Sequence, residues 1–146
     1  MAVFREQPYG NAQFVVEIDG LEQRSFTEVH LPVFSDEAVE YRDGNDPDRA
    51  SHKMPGRPRI GTLVLRRGFR GNLDLYQWWR SATSGESGGR RSVSVQLLDE
   101  GATTVVAAWR LRNAWPVEYS VAPLSAQGGQ VLIEQVEVAC DRADLE

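Results

Sequence analysis

Two histidines, one cysteine and a few serines and carboxylates are the groups in this sequence that could ligate a metal, relay a proton or attack a carbonyl. His30 closes an alternating apolar–polar run and His52 lies in a polar stretch, with no ligand motif between them. They read as surface or interface histidines rather than a metal or catalytic pair. Cys140 has no Cys or His at ligand spacing and no base beside it, so it reads as a small apolar residue, and a lone cysteine forms no internal disulfide. Asp99 and Glu100 fall in a turn between two strand patterns, where solvation accounts for them. Ser84 and Ser87 sit in glycine-rich sequence without the G-x-S-x-G setting of a nucleophile elbow, and "GESGGR" lacks the Gly-Lys-Ser/Thr ending of a phosphate loop. "LRRGFRG" (Leu65 to Gly71) has the Arg and Phe of a nucleic-acid binder, but it joins a strand pattern to a helix pattern, so its glycines serve the backbone. The Trp78-Trp79 pair reads as packing rather than a stacking platform. The sequence therefore predicts no catalytic, cofactor-binding or metal-binding residue.

Charge narrows the partners. The chain of 146 residues carries a formal net charge of −5, against a nucleic-acid binder that works through bulk charge, and Lys53 is its sole lysine. Arginine suits forked pairing with carboxylates, which points to protein–protein contacts. From Arg57 to Arg91 eight arginines face only Asp74 and Glu86, whereas the last stretch holds Glu134, Glu137, Asp141, Asp144 and Glu146. Two readings stay open: a solvated surface, or complementary faces for head-to-tail self-association. "MAVFREQPYG" lacks the apolar run of a signal peptide and no segment reaches membrane-spanning length, so the expectation is a chain folded in the cytoplasm with no membrane anchor.

The elements that would carry these groups are mostly short strands, in one domain over residues 1–146. Phe14, Val16 and Ile18 alternate with Val15, Glu17 and Asp19 up to the Asp19-Gly20 turn. A second run, "SFTEVHLPVF", stops at Pro32, and "AVEYR" (Ala38 to Arg42) is a third. "GTLVLRRG" resumes the alternation. Leu75, Trp78, Trp79 and Ala82 form the single convincing helical stripe, over about residues 72–84, with Asn72 as cap and Gly85 as stop. Beyond it, Val93, Val95 and Leu97 face inward and Ser92, Ser94 and Gln96 outward; Val105, Ala107, Trp109 and Leu111 share a face; and Trp115-Pro116 is read as a strand break. "GQVLIEQVEVAC" supplies a last long strand. The pattern is a β-rich, antiparallel α+β domain of seven or eight strands and one helix.

One stretch does not fit a compact domain. "YRDGNDPDRASHKMPGRPR", Tyr41 to Arg59, offers only Ala50 and Met54 as apolar side chains beyond its first tyrosine. Loops longer than about 12–15 residues without structure of their own are uncommon and usually functional. The reading is a long arm, about residues 42–60, ordered by another copy of the chain.

The colinear set "EYRDGN" (Glu40 to Asn45), "KMPG" (Lys53 to Gly56), "LRRG" (Leu65 to Gly68) and "WRLRNAWPVEY" (Trp109 to Tyr119) resembles the inner tube protein of contractile phage tails. It is most similar to the tube subunits of phage-tail-like extracellular contractile injection systems. The resemblance implies two packed antiparallel sheets with one flanking helix, related to the ring protein of type VI secretion. It also implies six-membered rings stacked into a tube inside a sheath, sheath, baseplate and cap proteins as partners, a lumen able to hold protein cargo, and residence in a phage virion or injection particle. From the motifs and the net charge, no cofactor and no specific nucleic-acid binding are expected. By motif, Tyr41, Arg42, Asp43, Asn45, Asp48, Arg49, His52, Lys53, Met54 and Arg57 would touch a neighbouring subunit or ring. Ser92, Ser94 and Gln96 are small and polar, as a wetted channel wall requires, with Phe14, Val95, Trp109 and Leu111 expected in the core. The alternatives are a tube-initiating or cap ring of the same machine, or a non-assembling small-ligand-binding β-barrel.

Overall fold

The computed structural model describes residues 1–21, 26–42, 44–45, 52–85 and 88–146. In chain order the elements are β1 Phe14–Ile18, β2 Glu28–His30, β3 Phe34–Tyr41, β4 His52–Ile60, β5 Leu63–Gly68, α1 Asp74–Thr83, β6 Arg91–Leu98, β7 Val105–Val121, β8 Ile133–Ala139 and β9 Arg142–Leu145. All strand pairs are antiparallel.

β7 belongs to two layers. Its first part pairs with β6 on one side and β9 on the other, giving a front layer β1-β6-β7-β9. Its last part pairs with β8, giving a back layer β7-β8-β5-β2. The corner between them coincides with a register shift opposite Arg91–Val93 and with Asn113 at φ 52°, a left-handed conformation that asparagine tolerates. The strand does not break at Trp115-Pro116 as the sequence suggested. Pro116 is buried opposite Val138, and a second register shift before Glu118 accommodates the missing N–H. The body is folded double but does not close into a barrel: among the described residues β1 and β2 each have one strand partner.

Alternation in the sequence fixes what lies between the layers. Val16, Ile18, Val93, Val95 and Leu111 from the front meet Leu63, Leu65, Val136 and Val138 from the back in one core cluster. Phe14 and Trp109, expected inside, are half-buried at its edge. The expected inner face of β7 also changes along the strand: Val105 is exposed, whereas Val106 and Ala108 are buried outside the main cluster. The N-terminal segment lies near this end, with the Val3 amide donating to the Val106 carbonyl (2.8 Å). The Arg5 guanidinium grips Glu100 at 2.5 Å, stacks on Tyr9, and holds the Glu100 carboxyl down at about 2.

Helix α1 follows its predicted stripe, with Leu75 and Trp78 buried and Trp79 and Ala82 half-buried. The helix starts after Leu73, which makes no side-chain cap bond, so Asn72 is not the cap read from the sequence; it sits one residue earlier, where its Oδ1 accepts from the Asp74 amide (3.0 Å), and Gly85 turns away at φ 74°. Trp78 Nε1 donates to the Gly89 carbonyl (2.8 Å), tying the helix to the bend that follows. That bend needs glycine for space, since a Cβ at Gly89 would lie 2.7 Å from the Ala82 Cα. Gly89→Ala is expected to destabilise by about 1–3 kcal/mol, the usual range for forced overpacking, as measured by urea denaturation. An unchanged midpoint would contradict this packing.

Candidate assembly surfaces

β3 and β4 pair with each other to form a two-stranded ribbon rather than the structureless arm read from the sequence. Every residue of β3 is exposed. Only Gly56 and Ile60 of β4 are partly covered. The expected third strand thus starts earlier, at Phe34, and half of the supposed loop is strand. A register shift between Asp36 and Ala38 bends the ribbon, and Gly56 sits where a Cβ would come 2.3 Å from the Glu37 carbonyl oxygen.

The register sorts the ribbon's side chains into two faces. Ala38/Pro55 and Glu40/Lys53 occupy one. Val39/Met54 and Tyr41/His52 occupy the other, with the Tyr41 and His52 rings 5.5 Å apart and the Arg59–Glu37 pair nearer the base. Val39, Met54 and Tyr41 are 43, 48 and 50 % exposed, an apolar patch left open among the described residues. Of the arm residues named from the sequence, Tyr41, His52, Lys53, Met54 and Arg57 lie on the ribbon and Arg42 and Asn45 beyond the end of β3. Asp43, Asp48 and Arg49 lie outside the described residues.

The outer face of the front layer is polar around Ser92 and Ser94, while the row of Gln96 also carries Val15 and Ala108. Ser92 is exposed there, and Ser94 and Gln96 are half-buried. Glu17, Ser94, Arg110 and Asp144 stand in one row across four strands. Arg110 pairs with Glu146 at 2.9 Å and Arg142 with Asp144 at 3.4 Å. An open cleft of about 600 Å³ over this face is lined by Glu17, Ser92, Ser94, Arg110 and Arg112 among others. The serines were legible in the sequence, but the charged partners from β7 and β9 were not, because only the register places them in the same rows.

The strand edges of the front layer follow from its hydrogen bonds. The Asp19 amide donates to Ser92 and the Leu98 amide to Gln13, so the odd-numbered residues of β1 bond to β6 while the backbone groups of Phe14, Val16 and Ile18 point outward. At the other end Glu146 and Ala108 exchange both bonds, which turns the amides of Ala143 and Leu145 outward. The layer thus ends on each side in an edge without a strand partner among the described residues, although the Ile18 carbonyl already accepts from the Leu21 amide (3.0 Å).

The arginine-rich stretch and the acidic end meet inside the chain at two pairs, Arg67–Glu134 and Arg90–Asp141. Arg67 is 4 % exposed and bonds through Nε to Glu134 (2.5 Å; 1 % exposed) and through a terminal nitrogen to Asp74 at the start of α1. Glu134 also accepts from the Tyr119 hydroxyl (2.6 Å), so one buried network joins β5, β8, β7 and the helix. Burial works against the Arg67 charge, but its hydrogen bonds to Glu134 and Asp74 prevail and its pKa is raised. Arg66, on the opposite face, pairs instead with Glu28 (2.7 Å) and Gln135 (2.6 Å), and Arg90 pairs with Asp141 at 3.3 Å. At these two pairs the charge asymmetry is used within one molecule.

Burial first, and the Glu134 bond second, push the Tyr119 phenol well above its ordinary value. A raised folded pKa contributes stability below the unfolded value, near pH 10, that is lost as pH rises through the folded value. Tyr119→Phe is accordingly expected to flatten the decline of stability above about pH 10, followed by denaturation at a series of pH values. A parallel decline in both proteins would contradict it.

The chemistry-bearing residues stay apart. His30 pairs with Glu28 on β2 while His52 lies on the ribbon. Burial and Asp141 raise the half-buried Cys140 thiol. Among the described residues no cluster of His, Cys, Asp and Glu is placed to hold a metal. No described helix is long and apolar enough to cross a membrane.

Known proteins place this architecture. No curated protein matches the chain significantly. Solved structures that share the fold include the sheath–tube complex of an extracellular contractile injection system, PVC, in its extended state, at TM-score 0.83 and 24 % identity over 97 % of this chain and 93 % of the other. The tube-terminating cap of the anti-feeding prophage gives 0.82 and 24 %, over 100 % of this chain and 95 % of the other. Hcp1 from Flavobacterium johnsoniae gives 0.59 and 13 %, over 91 % and 94 %. The family described as T4-like virus tail tube protein gp19 matches residues 10–144, which takes in β1 through β8 and most of β9. This chain belongs to that tail tube family and is a structural tube subunit.

Proposed function

We propose that six copies form a ring through the two edges of the front layer, and that rings stack into the tube of a contractile tail or injection particle. The observation that carries this reading is the strand count. β1, β6, β7 and β9 alternate in direction, so β9 of one copy meets β1 of the next in antiparallel sense, and the pattern repeats without a mismatch. Exposed edges are a hazard in a soluble monomer, and closure removes them. The polar face with Ser92, Ser94 and Gln96 then lines the channel, the ribbon bearing Tyr41, His52, Lys53, Met54 and Arg57 reaches a neighbouring copy, and stacking continues because the axial contact is head-to-tail. Sheath, baseplate and cap proteins are the further partners, assembly takes place in the cytoplasm, and the lumen can hold protein cargo. The role is structural rather than enzymatic.

Leu145→Pro tests the ring. The Leu145 amide points away from β7, so proline there removes an outward donor without a ladder bond of its own chain. The expected result is a folded protein by circular dichroism that no longer forms rings in negative-stain images. Rings at parental yield would contradict the β9 edge as an interface.

A further inference from the structure

Where the front and back layers part, between β1 and β2, lies an apolar groove of about 450 Å³ lined by Phe14, Val29, Leu31, Val95, Leu97 and Trp109. It accounts for the incomplete burial of Phe14 and Trp109. We infer that this groove receives the distal apolar face of the ribbon, Val39, Met54 and Tyr41, from another copy of the chain; the inference rests on the tube reading and names the surface that the ribbon meets. Two observations support that occupant. A two-stranded ribbon alone is marginally stable in water, so an exposed patch on it calls for cover from outside the molecule. The groove adjoins the free β1 edge and is therefore continuous with the surface a ring neighbour would occupy. A projecting patch and a receptive groove on the same chain are what a heterologous, repeating contact requires.

The experiment uses the full chain with Cys140→Ser and paired cysteines, Met54→Cys with Leu31→Cys and, as a second reporter, Val39→Cys with Leu31→Cys. Assembled protein is oxidised and run on a non-reducing gel. The expected result is loss of the monomer band into a ladder of covalent multimers, with no ladder from any single-cysteine variant. Normal tubes with neither pair cross-linking would overturn the inference and leave the tube reading standing. A cross-link within isolated monomers would overturn it too, by showing the ribbon folded onto its own groove. Failure of the parent chain to assemble at all would overturn both.

Discussion

Glu134→Ala is expected to lower the free energy of unfolding by about 3–5 kcal/mol, the range for leaving one member of a buried ion pair without its partner. Glu134 and Arg67 are both almost wholly enclosed, and Glu134 serves the Arg67 guanidinium with one oxygen and the Tyr119 hydroxyl with the other. Its removal leaves a buried cation with Asp74 alone and a half-buried phenol without its acceptor. Replacing the pair together, Arg67→Met with Glu134→Leu, is expected to be milder, since no fully buried charge is then stranded: Asp74 loses Arg67 but keeps the Leu75 amide (2.8 Å) and some exposure. Chemical denaturation of the parent, Glu134→Ala and the double variant checks this. A Glu134→Ala value within about 0.5 kcal/mol of the parent, the range of an ordinary surface change, would mean the network does not hold the layers together.

Cutting the ribbon short should have the opposite profile: assembly lost, fold kept. Ala38 and Pro55 are cross-strand partners, so residues 39–54 can be replaced by Asn-Gly at that point, a pair suited to a two-residue hairpin turn. The change removes Val39, Tyr41, His52, Lys53 and Met54, none of which belongs to the core cluster. The unfolding free energy is expected to move by less than about 1 kcal/mol, while tubes disappear from negative-stain fields. Tubes of normal length and yield would refute an assembly role for the ribbon.

These two regions show what the sequence could and could not convey. The helix and the inner face of β6 were legible because a buried face imposes a period: Leu75, Trp78 and Val93, Val95 lie where their spacing put them. The ribbon carried no such signal. Among the described residues neither of its faces is buried, so no alternation is enforced, and Pro55 and Pro58 argue against a strand. Its tie to another copy was inferred from the lack of apolar residues, whereas Val39, Tyr41 and Met54 form a compact patch that only the register reveals. β7 ran on past Pro116 because a register shift absorbed the proline, a tertiary effect that no local pattern encodes. The buried network did leave a trace. Arg67 shares the inward parity of Leu63 and Leu65, and Glu134 that of Val136 and Val138, so two opposite charges on core-facing positions marked the pair. The free edges of β1 and β9 left none, since pairing is a property of the whole sheet.

A cryo-EM reconstruction of the assembled chain tests most directly whether identical copies complete this sheet. The account predicts β1 of each copy hydrogen-bonded to β9 of the next, with Ser92 and Ser94 facing the lumen. Monomers at high concentration, or rings in which the β1 and β9 edges lie apart, would contradict it.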